Sequence, residues 1–316
     1  LDSIPNTSTS GFSLCLCSHL LKPSRIQGLT IMSNLKTIRI ATRASQLAIA
    51  QAEQVRATLL AHLPHLAPED ITLMQVTTTG DKDQTSNPAQ WGYKGLFTKE
   101  VEELLLDHQA DIAVHSMKDM PSVLPQGLII AGMLEREDPR DAFISLTYQS
   151  LDDMPQGSVL GTSSTRRSAI IRSLRPDLTI VPFRGNVQTR LRKLESGEAD
   201  ATLLAAAGLK RLGLEQRITQ LLPLDQMLPA IAQGAIGIEC RESDDRMRAI
   251  LADITHAPTL QAVTAERAVL VVLDGSCKTP LSGYAHITGD QLTLQSLLLQ
   301  PDGSEQWQAN ASGHVN

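Results

Sequence analysis

Aromatic side chains are scarce: Phe, Trp and Tyr together make up 3% of the 316 residues. Stacking platforms for single-stranded nucleic acid or for sugars are hard to build from so few rings, so the core must be Leu, Ile, Val and Ala. A basic surplus is missing too. The formal net charge of −6 argues against a general polyanion binder, because phosphate backbones are held by excess Lys and Arg. No run approaches the roughly 18 to 20 apolar residues of a membrane helix. Four cysteines, with Cys15 and Cys17 close to the start, exclude a small disulfide scaffold and fit a reducing, cytoplasmic compartment. Neither a phosphate-binding Gly-Lys-Ser/Thr loop nor a dinucleotide glycine fingerprint occurs, and no His/Cys/Glu spacing suggests a metal.

What is present is an alternation of short apolar runs with helical patterns from Ile38 onward, the sign of an α/β architecture with largely parallel sheets. One pattern occurs twice. Ile40-Ala41-Thr42-Arg43-Ala44-Ser45 ahead of a helix over Gln46–Leu60 is matched by Val159–Ser168 ahead of a helix over Ala169–Leu174. A helix from Thr98 to His108 leading to Asp111 and a strand is likewise echoed by Val187–Glu195 leading to Asp200 and a strand. Two similar lobes with a ligand cleft between them follow from this repeat. The expected organisation is a non-core leader (residues 1–34), lobe 1 (35–135 plus 233–254), lobe 2 (140–228), and a small α+β C-terminal domain (257–316) with hairpin strands at Gly283–Ile287 and Gln291–Leu299. Residues 1–31 hold nine Ser or Thr and three charged groups. Met32 reads as a start, with an organelle-targeting segment as the alternative.

Arginine outnumbers lysine 19 to 9, and seven arginines fall between positions 166 and 192. The planar guanidinium grips a carboxylate or phosphate in two parallel hydrogen bonds, so a local concentration of Arg within an acidic chain points to an anionic ligand. Arg43, Arg166 and Arg167 are assigned to strand-to-helix loops, where Ser45, Thr162, Ser163 and helix amides can bind the same anion. Arg184 and Arg190 bracket a turn. Arg172, Arg175 and Arg192 are read as solvated charge. Asp119 beside Lys118 after an apolar strand is a candidate acid or base, although taken alone those two residues read first as an ordinary loop ion pair. His115 and Cys240 are read as structural. Cys277, in Gly275-Ser276-Cys277-Lys278, has the Gly/Pro-rich setting and neighbouring cation of a modifiable thiol, and equally that of a small residue filling a turn.

Taken in order, these segments resemble the porphobilinogen deaminase (hydroxymethylbilane synthase) family. The resemblance rests on Ala41-Thr42-Arg43-x-Ser45, Lys94-Gly95-Leu96-Phe97, Ala113-Val114-His115-Ser116-Met117-Lys118-Asp119, Glu135–Asp141, Gly161–Arg167, Arg184-Gly185-Asn186, Ala207–Arg211 and the loop around Cys277. It implies two lobes like those of periplasmic binding proteins and a dipyrromethane cofactor joined to Cys277 by a thioether. It also implies deaminating condensation of four porphobilinogen molecules on that primer, then hydrolysis to release a linear tetrapyrrole. Asp119 would be catalytic. Lys118, Thr162, Ser164, Arg166, Arg167, Arg184 and Ser45 would hold the cofactor, and Arg43, Lys94, Phe97, Arg190, Arg211 and Gln233 the substrate. Neither a metal, a nucleic acid nor a membrane is implied, and the chain is expected to be a monomer. Three positions depart from the family pattern: Ser276 and Ala232 stand where Gly is common, and Gln90 where a basic residue is common. The closing segment and final helix of the family are not matched in the third unit. A non-catalytic two-lobed small-anion-binding protein is the competing reading.

Overall fold

The computed structural model describes residues 37–79, 98–273, 275 and 279–315. Lobe 1 is built from β1 (Ile38–Arg43), α1 (Gln46–His62), β2 (Ile71–Val76), α2 (Lys99–Leu106), β3 (Ile112–Ser116) and β4 (Leu128–Met133). The chain then crosses to lobe 2. There it forms β5 (Asp141–Ser145), β6 (Val159–Gly161), α3 (Thr165–Leu174), β7 (Thr179–Val181), α4 (Val187–Glu195), β8 (Ala201–Ala205), α5 (Ala206–Arg211) and β9 (Gln220–Leu221). A second crossing returns it to lobe 1 for β10 (Ile236–Arg241) and α6 (Asp245–Asp253).

The two five-stranded sheets share one plan, with orders β2-β1-β3-β10-β4 and β7-β6-β8-β5-β9. Each is largely parallel as expected, four of its five strands pointing the same way, with one strand reversed. β1 runs parallel to β2 and β3, but β10 is antiparallel to β3 and β4. Likewise β6 is parallel to β7 and β8, while β5 is antiparallel to β8 and β9. The reversed strand in each sheet is the one that follows a crossing: a strand entering from the other lobe comes from the opposite end of the sheet.

Side chains on a strand alternate between faces, and both faces of each sheet are covered. Ile38, Ile40, Val114 and Ile238 pack under α1 and α6 with Val55, Leu59 and Ile250, whereas Ala41 and Ala113 meet Val101 and Leu105 of α2. In lobe 2, Phe143, Leu160 and Leu203 pack with Ile171 of α3, and Ala142, Ile144 and Leu204 with Leu191 of α4 and Leu209 of α5. Each large apolar side chain so buried contributes about 1.5–3 kcal/mol.

The third unit is α7 (Ala257–Val272) against the antiparallel sheet β11 (Leu281–Thr288), β12 (Gln291–Leu299) and β13 (Gln306–His314). The expected hairpin is present with a longer first strand. β13 was not foreseen: Trp307, Ala309 and Ala311 alternate with polar residues, but two of the three are only Ala, a weak apolar signal, and every residue of the strand is exposed. This unit packs on both lobes. Val263 and Leu281 join Met117, Met120 and Ile231, while Leu297 and Leu299 join the lobe 2 core. At the β12–β13 tip, Gly303 (φ +78°) lies flat on α3, where a Cβ would come within 2.8 Å of the Ala169 carbonyl oxygen and the Ser173 amide nitrogen.

Candidate active site

Polar loops end the first strands of both lobes, and short side chains shape each of them. Ser45 caps α1, its Oγ accepting from the Ala48 amide, and Arg43 closes β1 just before it. In lobe 2, Ser164 caps α3 by accepting from the Arg167 amide, and Thr162 Oγ1 accepts from Ser164. Asn186 caps α4, and Arg190 one turn later donates Nε to the Gly185 carbonyl at 2.8 Å.

Arg166 and Arg167 are not in a loop. They occupy the first turn of α3, both are buried, and both clasp one carboxylate. Arg167 donates Nε and Nη2 to Asp141 Oδ1 at 3.0 and 2.6 Å, with Nη1 on the Leu203 carbonyl at 2.9 Å. Arg166 Nη2 lies 2.7 Å from Asp141 Oδ2, its Nη1 donates to the Leu228 carbonyl, and its buried Nε has no hydrogen-bond partner. Asp141 is fully buried at the start of β5. Burial alone would raise its carboxyl; the two guanidiniums outweigh that and hold it well below the usual carboxylate range.

Gln233, on the return crossing, links this cluster to lobe 1. Its Nε2 donates to Asp141 Oδ1 at 3.0 Å and to the Pro139 carbonyl at 2.8 Å, so its Oε1 faces Lys118 Nζ at 3.4 Å. Lys118 and Asp119 lie on a single 3-10 turn, Met117–Asp119, at the end of β3. Lys118 is half-buried and Asp119 exposed. Burial pushes the Lys118 ammonium down to about 8, against the pull of Asp119 and Asp141 and with the push of Arg167 and Arg166. Arg190 answers from lobe 2. Its guanidinium is lowered to about 10 by burial and by the charge of Arg167, and Asp119 opposes that shift. Lys118, Asp119, Arg166, Arg167, Arg190 and Gln233 therefore share one neighbourhood between the lobes.

Arg211 is placed differently: it bridges the lobes, donating Nε to Gln54 Oε1 at 3.2 Å and Nη2 to the Gly234 carbonyl at 2.7 Å. Thr162 and Arg184 line a separate concavity of about 260 Å³ beside Arg172, Thr165 and Ser168. A larger concavity of about 610 Å³, between the crossings and the third sheet, contains none of the predicted site residues. His115 is buried with Nε2 3.0 Å from Glu239 Oε2, and Cys240 is core. Among the arginines read as solvated, Arg175 is corrected: it bonds the Leu151 and Met154 carbonyls and pairs with Asp177. Cys277, Lys94, Phe97, Gln90, Ser276 and the leader lie outside the described residues. Ala232 has φ +60°, a left-handed conformation that suits the glycine common at this position.

Sequence reasoning did not single out Asp141 or Glu266. One signal was available, since buried guanidiniums need a carboxylate, but the choice among Glu135, Glu137, Asp138 and Asp141 needs the strand register. Among the described residues, no group of His, Cys, Asp and Glu could hold a metal ion, and no helix is long and apolar enough to cross a membrane.

Two family models match the chain: "Porphobilinogen deaminase, dipyromethane cofactor binding domain" over residues 38–249 and "Porphobilinogen deaminase, C-terminal domain" over residues 260–316. Solved structures similar to the chain include the periplasmic VFT2 domain of Bordetella pertussis BvgS, 13% identical, covering 77% of this chain and 97% of that one at TM-score 0.44. A putative methionine-binding lipoprotein from Bacillus subtilis is 14% identical over 70% of this chain and 90% of that one, at 0.42. A nutrient binding protein from Burkholderia cenocepacia bound to methionine is 14% identical over 74% and 95%, also at 0.42.

Proposed function

The chain belongs to the porphobilinogen deaminase family, a transferase family of tetrapyrrole biosynthesis, and from that premise we propose how its own residues carry the reaction. Cys277 holds the dipyrromethane through a thioether. When bound, that group supplies a nucleophilic pyrrole α-carbon as primer. There it would serve the family's deaminating condensation, in which each of four porphobilinogen molecules would lose ammonia from its aminomethyl group as it joins the growing chain. Water then releases the linear tetrapyrrole.

Each pyrrole brings two carboxylates, so the cleft must present cations. The observation that carries this reading is that Lys118 from lobe 1 reaches, through Gln233, the Asp141 carboxylate that pairs Arg166 and Arg167 of lobe 2. The unpartnered buried Nε of Arg166 suits a cleft built for anions, since a buried donor without a partner is costly. Lys118, Thr162, Ser164, Arg166, Arg167, Arg184 and Ser45 are assigned to the cofactor's acetate and propionate groups, and Arg43, Lys94, Phe97, Arg190, Arg211 and Gln233 to the incoming substrate. Asp119 is assigned the proton work: its carboxylate, exposed at the tip of the β3 turn, takes the ring N–H hydrogen bond, steadies positive charge as the amine departs, and accepts the α-proton. The enzyme is taken to act as a monomer in the cytoplasm.

The test is the intact mass of the purified chain beside Cys277→Ser, each treated with Ehrlich's aldehyde reagent. A wild-type excess of two pyrrole units, coloured by the reagent and lost in the mutant, is expected. An unmodified wild-type mass from cells competent in haem synthesis would favour the non-catalytic anion binder.

A further inference from the structure

We infer that Asp141 is the positioning residue of this site: its one carboxylate sets the Arg166 and Arg167 guanidiniums side by side and, through the amide of Gln233, fixes where the Lys118 ammonium lies. The inference rests on the functional reading above and deepens it. Two adjacent guanidiniums in a buried first turn repel each other; the Leu228 and Leu203 carbonyls each hold one of them, and the Asp141 carboxylate supplies the counter-charge they share. Asp141 Oδ1 takes Arg167 and Gln233, and Oδ2 takes Arg166. The Gln233 amide has no choice of orientation, because its nitrogen already donates to two acceptors. Its oxygen is therefore fixed as the acceptor for Lys118.

The main chain pins this carboxylate as well. The Asp141 carbonyl accepts from the Leu222 amide at 2.9 Å, so Asp141 joins the two crossings, while Pro139 and Gln233 join them a second time. Three cations from two lobes are thus registered to each other before any anionic ligand enters. The charged groups facing Lys118 are Asp119 on its own turn, Arg166 and Arg167 from α3, and Asp141 from β5. Removing the Asp141 charge leaves the two guanidiniums uncompensated and makes the Lys118 ammonium easier to deprotonate.

The experiment compares the holoenzyme with Asp141→Asn, Asp141→Glu and Gln233→Leu by intact mass and by kcat/KM for porphobilinogen against pH. Asp141→Asn should lower kcat/KM by about tenfold or more and move the alkaline limb of the profile to lower pH, while Asp141→Glu restores both in large part. A purely structural residue would not move that limb. Gln233→Leu leaves the arginine pair intact and should move the limb in the same direction, which keeps the inference open to test if Asp141→Asn fails to fold. An unshifted limb in Gln233→Leu, or wild-type kcat/KM in a folded Asp141→Asn, overturns the inference. A wild-type enzyme lacking the covalent pyrrole mass overturns the functional reading instead.

Discussion

The Glu266 carboxylate lies along the Arg136 guanidinium, Oε1 to Nη1 at 2.5 Å and Oε2 to Nη2 at 3.2 Å, with Glu266 fully buried. The same two oxygens accept the Ala285 and Ala232 amides at 2.7 and 2.6 Å, and Arg136 also donates to the Gln233 carbonyl. One ion pair therefore fastens α7 to β11 and to both crossings. Burial pushes the Glu266 carboxyl above its ordinary value despite Arg136. Replacing the cation, as in Arg136→Met, strands a buried carboxylate and should cost about 3–5 kcal/mol in urea unfolding at neutral pH. The sign with pH follows from a raised folded-state pKa: the protonated form is favoured in the fold, so stability falls as pH rises through it. The deficit of Arg136→Met should be smaller at pH 5 than at pH 8, and a pH-independent deficit contradicts the account.

Ala232 and Gly234 sit two residues apart, both with positive φ, at +60° and +91°. Ala232→Gly relieves a strained backbone and should stabilise the chain by about 1 kcal/mol. Gly234→Ala does the opposite, because its Cβ would fall on the Glu137 carbonyl oxygen. A loss of about 3 kcal/mol or more is expected. Paired thermal melts decide both, and the argument fails if the two changes have the same sign.

A Lys118 ammonium held down to about 8 must regain its proton to grip a carboxylate. Below that value it is already charged. Between about pH 8 and the ordinary lysine value near 10.4, binding of a polycarboxylate should take up a proton, and affinity should weaken as pH rises through 8. Calorimetry at pH 8.5 in two buffers of different ionisation enthalpy measures the uptake, which should disappear in Lys118→Met.

Burial, with the nearby Asp244 charge, pushes the Cys240 thiol up to about 12. Iodoacetamide attacks the thiolate, so Cys240 should stay unmodified in the native protein and react only after unfolding in guanidinium. Peptide mass mapping before and after denaturation reads this directly. Labelling of Cys240 under native conditions would mean that the lobe 1 sheet opens.

Much of lobe 2 was readable locally. α4 over Val187–Glu195 follows from the Asn186 cap and the Leu191/Leu194 spacing, and it forms between those residues. β10 was readable as an apolar strand able to rejoin lobe 1, yet its direction was not, because periodicity says which face a strand shows and nothing of its sense. The site divides in the same way. Arg166 and Arg167 stand out in sequence as a basic pair ahead of an apolar helix. Their shared partner lies 25 and 26 residues upstream, in a charged run of seven in which no side chain is marked out. What selects Asp141 is that it begins β5 beside β8, opposite Ala205, a long-range pairing that no window of sequence contains.

The strand orders give the cleft a radius. Neighbouring strands are about 4.8 Å apart, and β5, where the crossing enters, lies three strands from the edge strand β7, as β10 does from β2. Residues carried by β7, including Arg184 just beyond it, thus stand about 14 Å out from Asp141, while Gln233 touches it. Under any rotation of one lobe on the other about the paired crossings, arc length grows with distance from the axis. Asp141 and Gln233 would scarcely move, whereas the outer arginine would sweep several ångströms. Such a rotation would leave an anion seated near Asp141 in place and would be felt chiefly at the β7 edge.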